Sequence, residues 1–449
     1  MTTNSKKIDP RRLKGFRDYL PDLMEVRSSL QSRIRQHAKL AGFREIGTPV
    51  LEYAETLLGQ GGDETDKQVY RFEDHGGRQV AMRFDLTVPF ARFVAEHQGE
   101  LVFPFKRLQI GDVWRGENTQ KGRYREFCQC DLDIIGVDSV NADAEIISCF
   151  YRILCDFNLG GFTIRVGHRH LLSALIATAL PGLSPEGETQ ALIALDKLDK
   201  IGADQVVELL MKLTSSDQGK VRDLIRVLTE GASAKGTDLA WVKLRLAGNT
   251  SALAELDRVT VLMSVLNTVT EQTKGGSIRL DLSIARGLGY YTGVVFETTL
   301  DSLPGFGSIS SGGRYNNLAE RFTNRALPGV GGSIGLDRLL AGMEELGKLG
   351  TSGSDVVFIA VATDDALESA MQLANMLRGA GLPCDIGLTT GKVGNQFKHA
   401  DRLGYERVLT LGSEEVRLGT YNLKNMKTGE ERKGLPKQDV LVELSSRKS

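Results

Sequence analysis

The chain has 449 residues, 41% hydrophobic and 25% charged, long enough for two or three domains that each bury a core. Lys and Arg (56) nearly balance Asp and Glu (57) for a formal net charge of -1, which excludes a globally basic polyanion binder and confines any nucleic-acid surface to a local patch. The apolar runs are too short to span a membrane and no apolar stretch follows the basic residues of MTTNSKKIDP, so a cytoplasmic protein with no membrane association is expected.

The first element read from the chain is an amphipathic helix from Pro21 to Ala41. Val26, Leu30, Ile34, Ala38 and Ala41 recur at helical spacing, Pro21 suits the first turn and Gly42 the stop. GFREIGTPVLEY follows as a β-like stretch carrying Pro49, which belongs at a sheet edge because it lacks an N–H. Asp85 and Thr87, in MRFDLTVPFARF, are placed to cap a helix beginning near Val88.

Between Phe105 and Gly136 two alternating runs, KRLQIGDVW and YREFCQCDLDII, flank the polar segment GENTQKGR, predicting two antiparallel strands and a long mobile loop. In the second strand, period two puts Gln129, Asp131 and Asp133 on one face and Cys128, Cys130, Leu132 and Ile134 on the other. The polar face is either solvated or the wall of a cleft, and alternation alone does not choose between them. A third run, SIRLDLSI from Ser277, extends what reads as one mainly antiparallel sheet covered by helices on one side. From His170 to about Gln272 the texture changes to Ala, Leu, Lys and Asp at helical spacing, a helical insertion. After the Gly and Ser linker GKLGTSGSD, strand and helix patterns alternate in DVVFIAVA, ALESAMQLANMLRGAG and RVLTLG, a small α/β domain. Within it Lys and Arg outnumber Asp and Glu between Lys392 and Lys437, which suits either a phosphate-facing surface or a solvated face.

Five cysteines, an odd count, argue against a disulfide framework. Cys128 and Cys130 are two apart, but His168 and His170 offer no partner cluster, so no resident metal site is expected and the thiols read as reduced and packed. The hairpin loop carries Arg115, Lys121, Arg123 and Arg125 with Glu117, and guanidinium forks suit phosphate oxygens. No GxxxxGK[ST] loop occurs, so side chains, not a glycine cradle, would hold a polyphosphate. RGLGYYTG at Arg286 and GGSIGLDRLL with Arg338 each set an arginine beside backbone that admits close approach. Surface pairing for Arg338 and core packing for Tyr290 and Tyr291 are the structural alternatives.

Taken together, these segments resemble the class II aminoacyl-tRNA synthetases, and in wording the histidyl branch. The Pro21 helix with the Pro49 stretch resembles motif 1, VWRGENTQKGRYREFCQCDLDIIG motif 2, and GGSIGLDRLL motif 3, while RGLGYYTGVVFE and SGGRYNNL resemble the two histidine-specific signatures. The resemblance implies an α+β fold with an antiparallel sheet flanked by helices, a helical insertion and a C-terminal α/β domain. It divides the chain into catalytic segments 1–169 and 273–348, an insertion at 170–272 and an anticodon-binding domain at 354–449. It implies histidine and ATP as substrates, Mg²⁺ associated with ATP, tRNA(His) as partner and a homodimer.

Carried over by position, Arg115 and Arg286 would be catalytic, with Arg115 on the α-phosphate and Arg286 between the reacting carboxylate and that phosphate. Glu117 would meet the adenine, Arg123 and Arg338 the outer phosphates. Asp85, Thr87 and Gln129 would receive the α-amino group, and Asp133 and Tyr291 the imidazole, with Tyr290 and Tyr315 lining the pocket. The chain makes three departures from the family pattern: Gly289 stands where the signature has Asp, Asn316 and Asn317 replace Asp-Gly, and Asp85 and Asp133 are a methylene shorter than the Glu of many bacterial members. A non-catalytic paralogue, the regulatory subunit of ATP phosphoribosyltransferase, is the alternative; it typically lacks part of the arginine set and the anticodon-binding domain.

Overall fold

The computed structural model describes residues 7–59, 66–214, 217–231, 239–285, 290–349 and 354–445. Residues group into two compact units, Met1–Leu349 and Gly350–Ser449.

The first unit opens on the expected helix, Pro21–Leu40, which starts with proline in its first turn and buries Leu30, Ile34 and Ala38. The Pro49 stretch does not form one strand. It splits into β1 (Arg44–Glu45) and β2 (Leu51–Tyr53), with Pro49 between them where no ladder N–H is required. β2, β3 (Arg71–Glu73) and β4 (Gln79–Met82) form a separate three-stranded sheet in the order β2-β4-β3. Helix Thr87–Glu96 leads from there to the hairpin strands β5 (Phe105–Trp114) and β6 (Glu126–Ile135).

Beyond helix Val140–Asp156 come β7 (Phe162–His168), the inserted helices from Arg169–Ala179 to Thr250–Gln272, β8 (Ser277–Leu280), β9 (Val294–Leu300), β10 (Ser310–Tyr315) and β11 (Gly329–Gly335). They join β1, β5 and β6 in an eight-stranded sheet ordered β1-β5-β6-β11-β10-β9-β7-β8. Its interior pairs are antiparallel, as the alternation predicts, and its two edge pairs, β1 with β5 and β7 with β8, are parallel. The SIRLDLSI run is strand only to Leu280. Asp281 ends it by accepting from the Ser283 N–H (3.1 Å) and hydroxyl (2.5 Å), a local turn that competes with the ladder.

Cys128, Cys130, Leu132 and Ile134 of β6 face a core shared with helices Pro21–Leu40 and Val140–Asp156. The opposite face is not solvated: Gln129, Asp131 and Asp133 are 8%, 1% and 1% exposed. The cleft, and not the wet face, is therefore the correct reading of that polar alternation. The five cysteines are free thiols, three of them buried.

The second unit holds a five-stranded sheet, β13-β12-β14-β15-β16, built from β12 (Ser354–Val361), β13 (Cys384–Ile386), β14 (Tyr405–Leu411), β15 (Thr420–Asn425) and β16 (Glu431–Pro436). The first three are parallel, and the last two continue antiparallel. Val357, Ile359 and Val361 of β12 pack on Ala370, Leu373 and Leu377 of helix Leu367–Gly379, the strand and helix periods seen in the sequence. No helix among the described residues is long and apolar enough to cross a membrane.

Candidate active site

A cleft of about 950 Å³ lies over the polar face of the eight-stranded sheet. Asp85, Thr87, Arg115, Glu117, Arg123, Gln129, Asp133, Tyr290, Tyr291, Tyr315 and Arg338 all line it. Arg286 and Gly289 lie outside the described residues.

One end of the cleft is cationic. Arg115 leaves β5 and is held between two rings, its guanidinium carbon 4.3 Å from the centre of Phe84 and 5.0 Å from that of Phe127, while its Nε donates to the Phe84 carbonyl at 3.1 Å. Arg123 pairs with Glu117 (3.2 Å), and Arg338, in the first turn of helix Leu336–Glu345, rests on Phe306 and donates to that residue's carbonyl. Lys121 and Arg125 do not join them. Lys121 pairs with Glu345, and Arg125 donates to the carbonyls of Glu117 and Lys14.

The loop between β5 and β6 is tied down along its length. Arg115 N–H donates to Arg125 O, Gly116 N–H to Gln68 O, and Gln120 and Arg123 exchange backbone bonds. Arg125 N–H reaches Gly15 O, and Arg17 donates to the Tyr124 hydroxyl, so the N-terminal segment braces the loop from outside.

The other end combines carboxylates with phenols. Asp85 does cap the helix: its Oδ1 accepts from the N–H groups of Thr87 (3.1 Å) and Val88 (2.9 Å), which fixes one oxygen and leaves the second for a ligand. Asp133 accepts a 2.5 Å hydrogen bond from the Tyr315 hydroxyl and lies 2.7 Å from Arg107 Nε. The rings of Tyr290 and Tyr291 are 4.6 Å apart, and Tyr290 meets Tyr315 edge-on at 6.4 Å. Burial pushes all three phenols above their ordinary range and keeps them protonated donors. Burial likewise pushes the carboxyls of Asp85 and Asp133 up, against the pull of Arg115 and Arg107. Gln129 donates to Ser333 Oγ at 3.1 Å, and its Oε1 is buried with no partner among the described residues, an acceptor waiting for a donor.

Beside this arrangement of arginines with buried carboxylates and phenols stand the similarities of the chain to known proteins. The family model described as "Histidyl-tRNA synthetase" matches residues 15–339. The chain belongs to the histidyl-tRNA synthetase family. A second model, "Anticodon binding domain", matches residues 355–447. A histidine–tRNA ligase of Rhodopirellula baltica is 43% identical over 424 residues, covering 94% of this chain and 95% of that protein. One from Helicobacter hepaticus is 40% identical over 425 residues with the same coverage, 94% and 95%. The crystal structure of histidyl-tRNA synthetase from Nostoc sp. PCC 7120 superposes with a TM-score of 0.86 at 29% identity, covering 98% of this chain and all of that one (100%).

Of the positions that depart from the family pattern, Asn316 points away from the cleft, its Oδ1 accepting from Arg314 (3.4 Å) and its amide donating to Asp138 (3.5 Å). Asp85 and Asp133, though a methylene shorter than Glu, both reach the lining. Several residues of this family member's cleft are not singled out by its sequence. Asp337, next to Arg338, accepts from the Tyr19 hydroxyl and from the Cys128 N–H (2.7 Å), anchoring the arginine's helix to β6. Asp196 and Lys200 of the inserted region line the wall, near Asp199, which pairs with Arg165 (2.7 Å) on the sheet. Gly331 of β11 lies directly opposite Asp133, and its missing side chain is what gives that carboxylate room. Only the glycine run GVGGSIG hinted at close approach along that strand.

Proposed function

We propose that the chain joins histidine to tRNA(His) in two steps within this cleft. The histidine carboxylate attacks the α-phosphorus of ATP, the bond to the β-phosphate breaks, and pyrophosphate leaves histidyl-adenylate. The terminal ribose hydroxyl of the tRNA then attacks the adenylate carbonyl and AMP departs. The observation that supports this reading is that Arg115, Arg123 and Arg338 line a single cleft together with Asp85, Gln129, Asp133 and Tyr291.

In this reading Arg115, aimed by Phe84 and Phe127, neutralises the α-phosphate so that two anions can meet, and Arg286 bridges it to the attacking carboxylate. Arg123 and Arg338 take the outer phosphates and Glu117 the adenine. Asp85, Thr87 and Gln129 receive the α-amino group; Asp133 and Tyr291 face the imidazole, with Tyr290 and Tyr315 closing the pocket. Buried hydrogen-bonding groups reject amino acids that cannot satisfy them, by factors of up to about 10⁴ to 10⁵.

Mg²⁺ associated with ATP would take its ligands mainly from phosphate oxygens and water. When bound it adds positive charge on the outer phosphates. The match of the C-terminal segment to an anticodon-binding model supports tRNA as partner and favours this reading over the regulatory-subunit alternative. A homodimer and a cytoplasmic location accompany the proposal. The test is charging of a tRNA(His) transcript with labelled histidine. Attachment that needs ATP and fails with Arg115→Ala is expected, and folded protein that leaves the tRNA uncharged contradicts the reading.

A further inference from the structure

The least accessible charge at the cleft belongs to a residue with no role assigned above. Arg107 is 0% exposed and sits directly across the β5–β6 ladder from Asp133. Its Nε lies 2.7 Å from Asp133 Oδ2, and its Nη2 lies 3.3 Å from Asp131 Oδ2 and donates to the Leu86 carbonyl at 3.3 Å. Nη1 donates to Gln109 Oε1 at 2.8 Å, and the Phe90 ring covers the guanidinium plane at 4.3 Å.

We propose that Arg107 is a positioning residue for histidine, fixing the separation between the carboxylate that takes the imidazole and the turn that takes the α-amino group. The two contacts that matter are to two different elements of the pocket wall, β6 and the turn before helix Thr87–Glu96. Asp133 is the imidazole end; Leu86 is the middle residue of the Asp85–Thr87 turn, itself held rigid by the bonds from Thr87 and Val88 to Asp85. One rigid planar guanidinium is ion-paired to the first at 2.7 Å and donates to the second at 3.3 Å, so a displacement of either is felt at the other. A packing role would be filled more cheaply by an aliphatic side chain, because a charge withdrawn completely from water carries a desolvation penalty. Lysine offers the charge without the fork.

The inference rests on the proposed assignment of Asp133 and Asp85 to histidine, so its test carries Asp133→Asn in parallel. Histidine-dependent exchange of pyrophosphate into ATP is measured for Arg107→Lys, which keeps the charge, and for Arg107→Leu with Asp131→Asn, which removes the guanidinium together with the carboxyl that faces its Nη2. The KM for histidine should rise about tenfold or more in both while the KM for ATP stays within about twofold, since a misplacement on the order of 1 Å is enough for losses of that size. A second readout is inhibition by 3-(imidazol-4-yl)propanoate, histidine without its amino group. Arg107→Lys should weaken this compound by a smaller factor than histidine, because a ligand that holds one end does not sense the spacing. Equal factors, a histidine KM within about twofold of wild type in folded Arg107→Lys and in the double variant, or parallel loss of both KM values and kcat would overturn the positioning role. If Asp133→Asn also leaves the histidine KM unchanged, the histidine assignment itself falls; if it raises that KM while the Arg107 variants are silent, only the positioning role does.

Discussion

Gly331→Ala isolates the imidazole end of the cleft with a single methyl group. Gly331 pairs with Asp133 across the β6–β11 ladder, and a Cβ there would fall within the Asp133 carboxylate and 2.7 Å from the Leu132 carbonyl oxygen. The backbone oxygen cannot step aside, so the carboxylate must. Doing so disturbs the 2.5 Å bond from Tyr315 and the 2.7 Å approach of Arg107, both of which aim Asp133 into the pocket. Overpacking of this kind costs about 1–3 kcal/mol of stability. Loss of one hydrogen bond to a charged group is worth about 1.5–3 kcal/mol, which corresponds to a rise in the histidine KM of about ten- to a hundred-and-fiftyfold. Pyrophosphate exchange at varied histidine and then varied ATP reads the two KM values separately, with circular dichroism to establish folding. A folded Gly331→Ala enzyme whose histidine KM stays within about twofold of wild type would refute the placement of Asp133 at the substrate ring.

Tyr315→Phe removes a donor that favours the ionised form of Asp133, whose carboxyl burial already pushes up. In the proposed role an ionised Asp133 is the stronger acceptor for the imidazole, so binding weakens as pH falls through its pKa; the acid limb of kcat/KM for histidine should move to higher pH in this variant, and an unmoved limb would contradict the assignment. Asp131 gives a stability prediction. Burial, outweighing the pull of Arg107, pushes its carboxyl up to about 7, so the folded chain holds a proton that an unfolded carboxyl releases near about 4. The folded state binds more protons between those values, and stability from this group falls as pH rises through the window. The melting temperature of Asp131→Asn relative to wild type should therefore increase from pH 5 to pH 8, and a difference that shrinks instead would be inconsistent with a protonated Asp131. Gly15→Ala acts on the cationic end: Gly15 has φ +90, and a Cβ would lie 2.7 Å from the Thr119 methyl and 2.8 Å from Arg125 Cγ. Displacing the loop that carries Arg115 and Arg123 should raise the KM for ATP about three- to tenfold with little change for histidine, read in the same exchange assay.

The parts of the fold legible in the sequence were those with an uninterrupted period. The Pro21–Leu40 helix, the β5–β6 hairpin and the alternating C-terminal unit announce themselves because one face of each buries apolar side chains against a neighbour. Where a side chain redirects the backbone the pattern misleads. SIRLDLSI alternates for eight residues, yet Asp281 bonds to Ser283 and to Arg165 (2.7 Å) and ends the strand at Leu280.

The site was legible as residue types and not as an arrangement. Alternation separated Gln129, Asp131 and Asp133 from the cysteine face, but whether that face is wet depends on strands and loops far away in sequence. Arg107 is the clearest case. In KRLQIGDVW it reads as one more polar residue of an alternating strand, and only the ladder shows that it stands opposite Asp133. Lys121 and Arg125 err in the other direction, since they have the composition of a phosphate loop but turn to Glu345 and to backbone carbonyls.

The central claim, that this cleft activates histidine with ATP, is tested most directly by exchange of labelled pyrophosphate into ATP. The account predicts exchange that requires histidine, persists without tRNA and is lost in Arg286→Ala. Folded protein that binds histidine yet supports no exchange would contradict it and favour a regulatory role for the same fold.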